Sequence, residues 1–155
     1  MLIPIAHIEP ELEASDRYEA IGELLTRLVH AGAIARSAQP DLFAAFSQRE
    51  DIMSTGIGFR LAIPHIGSDR VARTLVAFGR SRVGIEFDSL DNAPVEFVFL
   101  FIMPAAKFAE QARTRSLARI CRALANARVQ TRLRGCSAAE EIGEVLENAF
   151  NNDDH

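Results

Sequence analysis

Apolar residues recur at helical spacing through the first third of the chain. In residues 16–31, DRYEAIGELLTRLVHA, the side chains of Tyr18, Ile21, Leu24, Leu25, Leu28 and Val29 share one face, which predicts an amphipathic helix. Asp16 followed by Glu19 has the form of a capping box, and Gly32 supplies a stop. Residues 40–52 predict a second helix, with Pro40 in its first turn and Leu42, Phe43, Phe46 and Ile52 turned inward. The period then breaks. Residues 53–70, MSTGIGFRLAIPHIGSDR, hold three glycines and one proline, and their apolar run Leu61-Ala62-Ile63 predicts a short strand ending at Pro64. Strands follow at 71–79, bounded by Gly79, and at 85–87. Residues 95–102, VEFVFLFI, are apolar at nearly every position, the pattern of a central strand covered on both faces and ended by Pro104. Three helices complete the chain. One spans 107–126 with Phe108, Ala112, Leu117, Ile120, Cys121 and Leu124 on one face, and a short one spans 127–134 with Val129 and Leu133 inward. A last one starts at the Ser137/Glu140 capping box and carries Ile142, Val145, Leu146 and Phe150. The expected architecture is a single α/β domain, a mixed sheet of about four to five strands covered by helices, with its core at residues 8–150 and a frayed tail at 151–155.

Composition narrows the class. The 155 residues are 48% apolar and 25% charged, enough to bury a core without staples and too apolar for a disordered chain. No run of about 18 apolar residues occurs, and the N-terminus lacks the pattern of a secretory signal. Cys121 and Cys136 are not in C-x-x-C spacing, which fits a reducing cytoplasm rather than a disulfide scaffold. The net charge of −4 hides an uneven distribution. Residues 1–57 carry net −5, residues 58–134 net +7, and residues 135–155 net −6; all the basic residues but Lys107 are arginine. An arginine-rich codon bias accounts for that middle block, and so does a surface that meets anions, since guanidinium matches phosphate and carboxylate geometry.

Several chemistries are excluded by spacing. Thr55-Gly56-Ile57-Gly58-Phe59-Arg60-Leu61 begins like a dinucleotide fingerprint, but ends in Leu61 and runs from helix to strand, the reverse of the required context. His7, His30, His65 and His155 are dispersed and form no metal motif. There is no G-x-S-x-G elbow, and the arginines are not interleaved with the aromatic platforms of a nucleic-acid binder. His65 stands apart. Pro64 fixes its own φ and holds Ile63 extended, so the imidazole projects from the rigid end of a strand. Glycines at 56, 58 and 67 let backbone N–H groups approach an anion, Ser54 and Thr55 add hydroxyls, and Arg49 and Arg60 add permanent charge. The plainer reading of the same histidine is a satisfied core or surface residue.

The run Arg49-Glu50-Asp51-Ile52-Met53-Ser54-Thr55-Gly56-Ile57-Gly58-Phe59-Arg60-Leu61-Ala62-Ile63-Pro64-His65 resembles the active-site signature of IIA domains of the phosphoenolpyruvate-dependent phosphotransferase system (PTS). The branch it resembles is the mannitol/fructose type, including the nitrogen-regulatory (PtsN-like) members. The similarity continues through Asp91-Asn92-Ala93-Pro94-Val95, Met103-Pro104 and the pattern Leu117, Ile120, Leu124, Ala125, Asn126. It implies that His65 accepts a phosphoryl group from an HPr/NPr-type carrier, with Arg49 as the nearby cation. Ser54 and Thr55 then help hold the phosphate or shape the pocket, Arg60 is a further candidate phosphate contact, and no metal, nucleotide or other cofactor takes part. Two positions depart from the family pattern. Ile66 stands where a glycine usually follows the active histidine, narrowing the approach to the phosphate. Arg113 falls nearest the place of a second histidine and would supply its phosphate contact. The resulting expectation is a cytoplasmic phosphohistidine protein of the nitrogen branch, acting on partners such as transporters or sensor kinases. A sugar-branch carrier that hands the group to an EIIB protein, and a binding module that has lost efficient transfer, are the alternatives.

Overall fold

The structure, a computed structural model, describes residues 3–106 and 115–152. Helix α1 (Arg17–His30) starts where the Asp16 carboxylate accepts the Glu19 N–H at 2.9 Å, while the Glu19 carboxylate reaches back to the Ser15 N–H at 3.0 Å. These bonds satisfy donors that a helix start leaves bare. Gly32, at φ +74°, turns the chain away from its end. Helix α2 (Gln39–Ile52) carries Pro40 in its first turn.

The strands are β1 (Ile8–Glu9), β2 (Gly56–Gly58), β3 (Leu61–Ala62), β4 (His65–Ser68), β5 (Leu75–Ile85) and β6 (Val95–Pro104). Helices α3 (Arg115–Ala125), α4 (Ala127–Gly135) and α5 (Ala139–Asn152) follow. Among the described residues no helix is long and apolar enough to cross a membrane.

The six strands form one mixed sheet in the order β1-β5-β6-β3-β2, with β4 also paired to β6. β6 is central and nearly all its residues are buried, as its unbroken apolar run requires. One face of the sheet, through Ala62, Ile66, Leu75, Ala77, Val98, Leu100 and Ile102, packs on α1 and α2. The other face, through Leu61, Ile63, Phe78, Phe97, Phe99 and Phe101, packs on α3, α4 and α5. The result is a helix–sheet–helix sandwich with two cores, the α/β class that the pattern predicts. Arg80 of β5, only 1% exposed, ties the far side together. It donates to the carbonyls of Pro10, Leu133 and Cys136.

Several expected boundaries shift. β5 runs through Gly79 and Gly84 and joins what reads in sequence as two strands. Its pairing with β6 slips between Arg80 and Ile85, and that bulge interrupts the alternation. Gly79 lies inside the strand, paired with Val98, where a Cβ would collide with the Leu12 side chain. Phe43 and Ile52 are exposed, at 37% and 83%; the buried positions of α2 are Leu42, Phe46 and Glu50, a narrow stripe four residues apart. At the start of α5 the Ser137 N–H reaches the carboxylate of Glu141 rather than that of Glu140, and the helix continues through Asn152. Of the helix expected over 107–126, the first part lies outside the described residues.

Candidate functional site

The segment after α2 is built residue by residue around one loop. Arg49, in the last turn of α2, donates from Nη1 to the Met53 carbonyl at 2.8 Å. The Ser54 hydroxyl donates to the Phe87 carbonyl and accepts the Gly56 N–H at 3.0 Å. Gly56 must lack a side chain, since a Cβ there would collide with Ser89 and lie 3.2 Å from Phe87 Cβ. Gly58 sits at φ +89°, a conformation that glycine adopts without strain. Phe59 and Arg60 follow at φ +55° and +62° and turn the chain from β2 into β3.

β3 and β4 keep a single parallel register against β6: Leu61 faces Phe97, Ala62 faces Val98, and His65 faces Phe101. Pro64 therefore interrupts one ladder rather than ending a strand. At the interruption Ile63 donates its N–H to the Thr55 carbonyl at 3.0 Å, away from β6, while the Pro64 carbonyl accepts from Phe101 at 2.9 Å. The Ile63 carbonyl is thereby placed for the side chain two residues on: His65 Nδ1 lies 2.8 Å from it. A carbonyl oxygen only accepts, so Nδ1 carries a proton, and in the neutral ring the lone pair is on Nε2. The half-buried imidazole shares its face of the sheet with Phe101 and Val76, the next residues across the ladder.

Other candidates are placed differently. Thr55 is 4% exposed; its N–H donates to Glu50 Oε2 at 3.1 Å and its hydroxyl donates to Oε1 of the same carboxylate. Both the Ser54 and Thr55 hydroxyls thus serve the segment that leads from α2 into β2. Arg60 Nε pairs with Glu96 at 3.3 Å, and Arg134 pairs with the same carboxylate at 2.8 Å. Arg60 lines a separate cleft with Arg82, Glu96 and Arg134. It sits just before Leu61, whose ladder position is four residues from that of His65, about 13 Å along the sheet. The structure does not bring Arg60 and His65 together. Ile66, expected to crowd the phosphate, points the other way: the pleat turns it into the α1–α2 core, where it is 5% exposed. Arg113 lies outside the described residues.

One residue of the site carries no role in the sequence reading. Glu50 is 1% exposed, holds Thr55 with both carboxylate oxygens, and has Arg17 Nη1 at 3.9 Å. Its signal is legible in retrospect: Leu42, Phe46 and Glu50 fall at i, i+4 and i+8, so a carboxylate occupies a core-facing helical position. Among the described residues no group of three His, Cys, Asp or Glu side chains could hold a metal ion.

Chemically, this is an imidazole whose Nδ1–H is held by a backbone carbonyl, half-buried on a strand. The arrangement suits nucleophilic attack by Nε2, with the Ile63 carbonyl steadying positive charge that develops on the ring.

Comparisons with known proteins bear on the family and the fold. The family model described as "Phosphoenolpyruvate-dependent sugar phosphotransferase system, EIIA 2" matches residues 1–149. The PTS fructose-specific EIIA component of Haloferax volcanii is 32% identical over 146 residues, which is 94% of this chain and 92% of that protein. A nitrogen regulatory protein of Bradyrhizobium diazoefficiens is 30% identical over 139 residues, 90% of this chain and 88% of its own. The solved structure of the nitrogen regulatory protein IIA-Ntr from Neisseria meningitidis superposes with a TM-score of 0.81 at 26% identity, covering 94% of this chain and 96% of that one. A chain with this signature, this sandwich and these relatives belongs to the EIIA 2 family of the phosphoenolpyruvate-dependent sugar phosphotransferase system.

Proposed function

We propose that this chain is a cytoplasmic phosphohistidine protein that accepts a phosphoryl group on Nε2 of His65 from an HPr/NPr-type carrier. The observation that carries the reading is the bond from His65 Nδ1 to the Ile63 carbonyl, which leaves Nε2 as the nucleophile. In the transfer, the bond between Nε2 and phosphorus forms as the donor's N–P bond breaks, and the donor imidazole leaves with its electron pair. The ring keeps its Nδ1 proton throughout, so no separate base is needed. Arg49, at the end of the helix that precedes the loop, supplies positive charge to the phosphoryl oxygens. The decisive experiment incubates the protein with phosphoenolpyruvate, enzyme I and the carrier and measures intact mass. One added phosphoryl group is expected, and it should be absent in His65→Ala. A chain that gains no mass, or a His65→Ala variant that gains it, overturns the assignment. Arg49→Ala should slow the transfer while leaving the fold intact, since its one backbone bond is worth only about 0.5–1.5 kcal/mol; an unchanged rate removes Arg49 from the site.

The role that fits best is nitrogen-branch regulation, in which the phosphorylation state of His65 resets contacts with partners such as transporters or sensor kinases. New negative charge on an interface is sufficient for that. Similarity to nitrogen regulatory proteins in both sequence and fold supports it. The fructose-specific relative favours a second reading, a sugar carrier that passes the group to an EIIB protein. Offering the phosphorylated chain to a fructose EIIB separates the two: rapid loss of the phosphoryl mass to EIIB selects the sugar role.

A further inference from the structure

We propose that Glu50 is a positioning residue for His65, fixing the imidazole through Thr55 and Ile63. The proposal rests on the reading of His65 as phosphoryl acceptor. Three successive links connect the buried carboxylate to the ring. Glu50 accepts the N–H and the hydroxyl of Thr55; the Thr55 carbonyl accepts the Ile63 N–H at 3.0 Å; the Ile63 carbonyl accepts the Nδ1 proton at 2.8 Å.

The last two links lie on the side of the strand that faces away from β6. By the alternation of strand backbone Ile63 directs its N–H away from β6 while Pro64 presents its carbonyl to Phe101, so the Thr55 carbonyl is the partner that holds the residue presenting its own carbonyl to His65. Thr55 in turn is held by the Glu50 carboxylate, which is 1% exposed. Burying a carboxylate costs several kcal/mol unless both oxygens are satisfied; here both accept from Thr55, two hydrogen bonds behind the imidazole, and Arg17 Nη1 lies 3.9 Å from Oε2. The N–H and the carbonyl of Thr55 belong to different peptide groups, so the chain transmits position rather than charge. A displacement of Thr55 moves the Ile63 carbonyl, releases the Nδ1 proton and lets the ring adopt the opposite tautomer, which presents a protonated Nε2 to the donor.

The test measures single-turnover phosphorylation by the phosphorylated carrier, as a rate constant per folded molecule and an apparent KM, in Glu50→Ala, Glu50→Gln and the unmodified chain. The 15N signals of the His65 ring are recorded in parallel. Glu50→Ala should lower the first-order rate about ten- to a hundredfold, the loss expected of a misplaced reacting group, with KM unchanged because a buried residue does not touch the carrier. Its ring signals should shift towards the Nε2-protonated tautomer. Glu50→Gln accepts the Thr55 N–H and donates to its hydroxyl, so it should restore most of the rate. Should Glu50→Ala fail to fold, Thr55→Val, which deletes one of the two bonds, takes its place with Thr55→Ser as its rescue. A wild-type rate and tautomer in the folded variants, or a loss confined to KM, overturns the positioning role. If the unmodified chain takes no phosphoryl group, the acceptor reading fails separately, and the ring signals alone decide whether Glu50 sets the tautomer.

Discussion

Ile66→Ala separates stability from chemistry at the residue next to the proposed acceptor. Across the sheet, His65, Phe101 and Val76 form one row, and Ile66, Ile102 and Leu75 form the next, on the opposite face. Ile66, Ile102 and Leu75 are 5%, 0% and 7% exposed and belong to the core under α1 and α2. Cutting a buried isoleucine to alanine costs about 2–5 kcal/mol, and β4, paired on one side to β6, relaxes enough to favour about 2–3 kcal/mol. In a chain of 155 residues each kcal/mol lowers Tm by about 2–4 °C, so thermal unfolding should move down by about 4–12 °C. Ile66→Gly should cost about 0.5–1 kcal/mol more, from added backbone freedom in the unfolded chain. The phosphorylation rate per folded molecule should not change in either variant, because neither removes an atom from the imidazole's face. Paired measurements of Tm and of mass gain over time provide the assay. A faster transfer at an unchanged Tm would place the Ile66 side chain in front of His65 and refute the pleat argument.

Two further predictions concern groups away from the imidazole. Arg60→Gln breaks a pair with Glu96 in which Arg60 is about half exposed, so it should cost no more than about 1 kcal/mol and leave phosphorylation untouched; a slowed transfer would return Arg60 to the phosphate. Burial, reinforced by Glu141, pushes the Cys136 thiol above its ordinary value of 9.0. The folded chain therefore holds that proton more tightly than the unfolded one, and this contribution to stability is complete below about pH 9 and fades above it. Denaturation midpoints should fall less between pH 8 and pH 10 in Cys136→Ala than in the parent, and an equal fall would show that the thiol does not contribute.

What the sequence discloses here follows from how local each signal is. Both ends of α1 are readable because a cap and a glycine stop act within a few residues. β6 is readable because a strand covered on both faces has no polar positions to confuse it. The join between β4 and β3 is not readable: Pro64 normally ends a strand, and only the constant register with a distant β6 shows that the ladder resumes. β5 is hidden by its bulge in the same way. At the site, Pro64-His65 is legible as a rigid mount, but its meaning depends on non-local contacts. The side that Ile66 faces, the pairing of Arg60 with Glu96, and the bonds from Glu50 to Thr55 are set by tertiary packing that no spacing rule encodes.

The bonds of Arg80 have a consequence for behaviour in acid. Its described acceptors are backbone carbonyls, two of them, Leu133 and Cys136, at the C-terminal end of α4, where the helix dipole is negative. Such a counter-charge has no proton to gain. The pairs Glu9–Arg27, Asp41–Arg70 and Glu96–Arg134 instead rest on side-chain carboxylates. The clasp joining Pro10, β5 and the α4–α5 junction remains. Acidification should therefore loosen the molecule unevenly, fraying first where side-chain pairs hold it and last around the guanidinium whose described hydrogen bonds all end on backbone carbonyls.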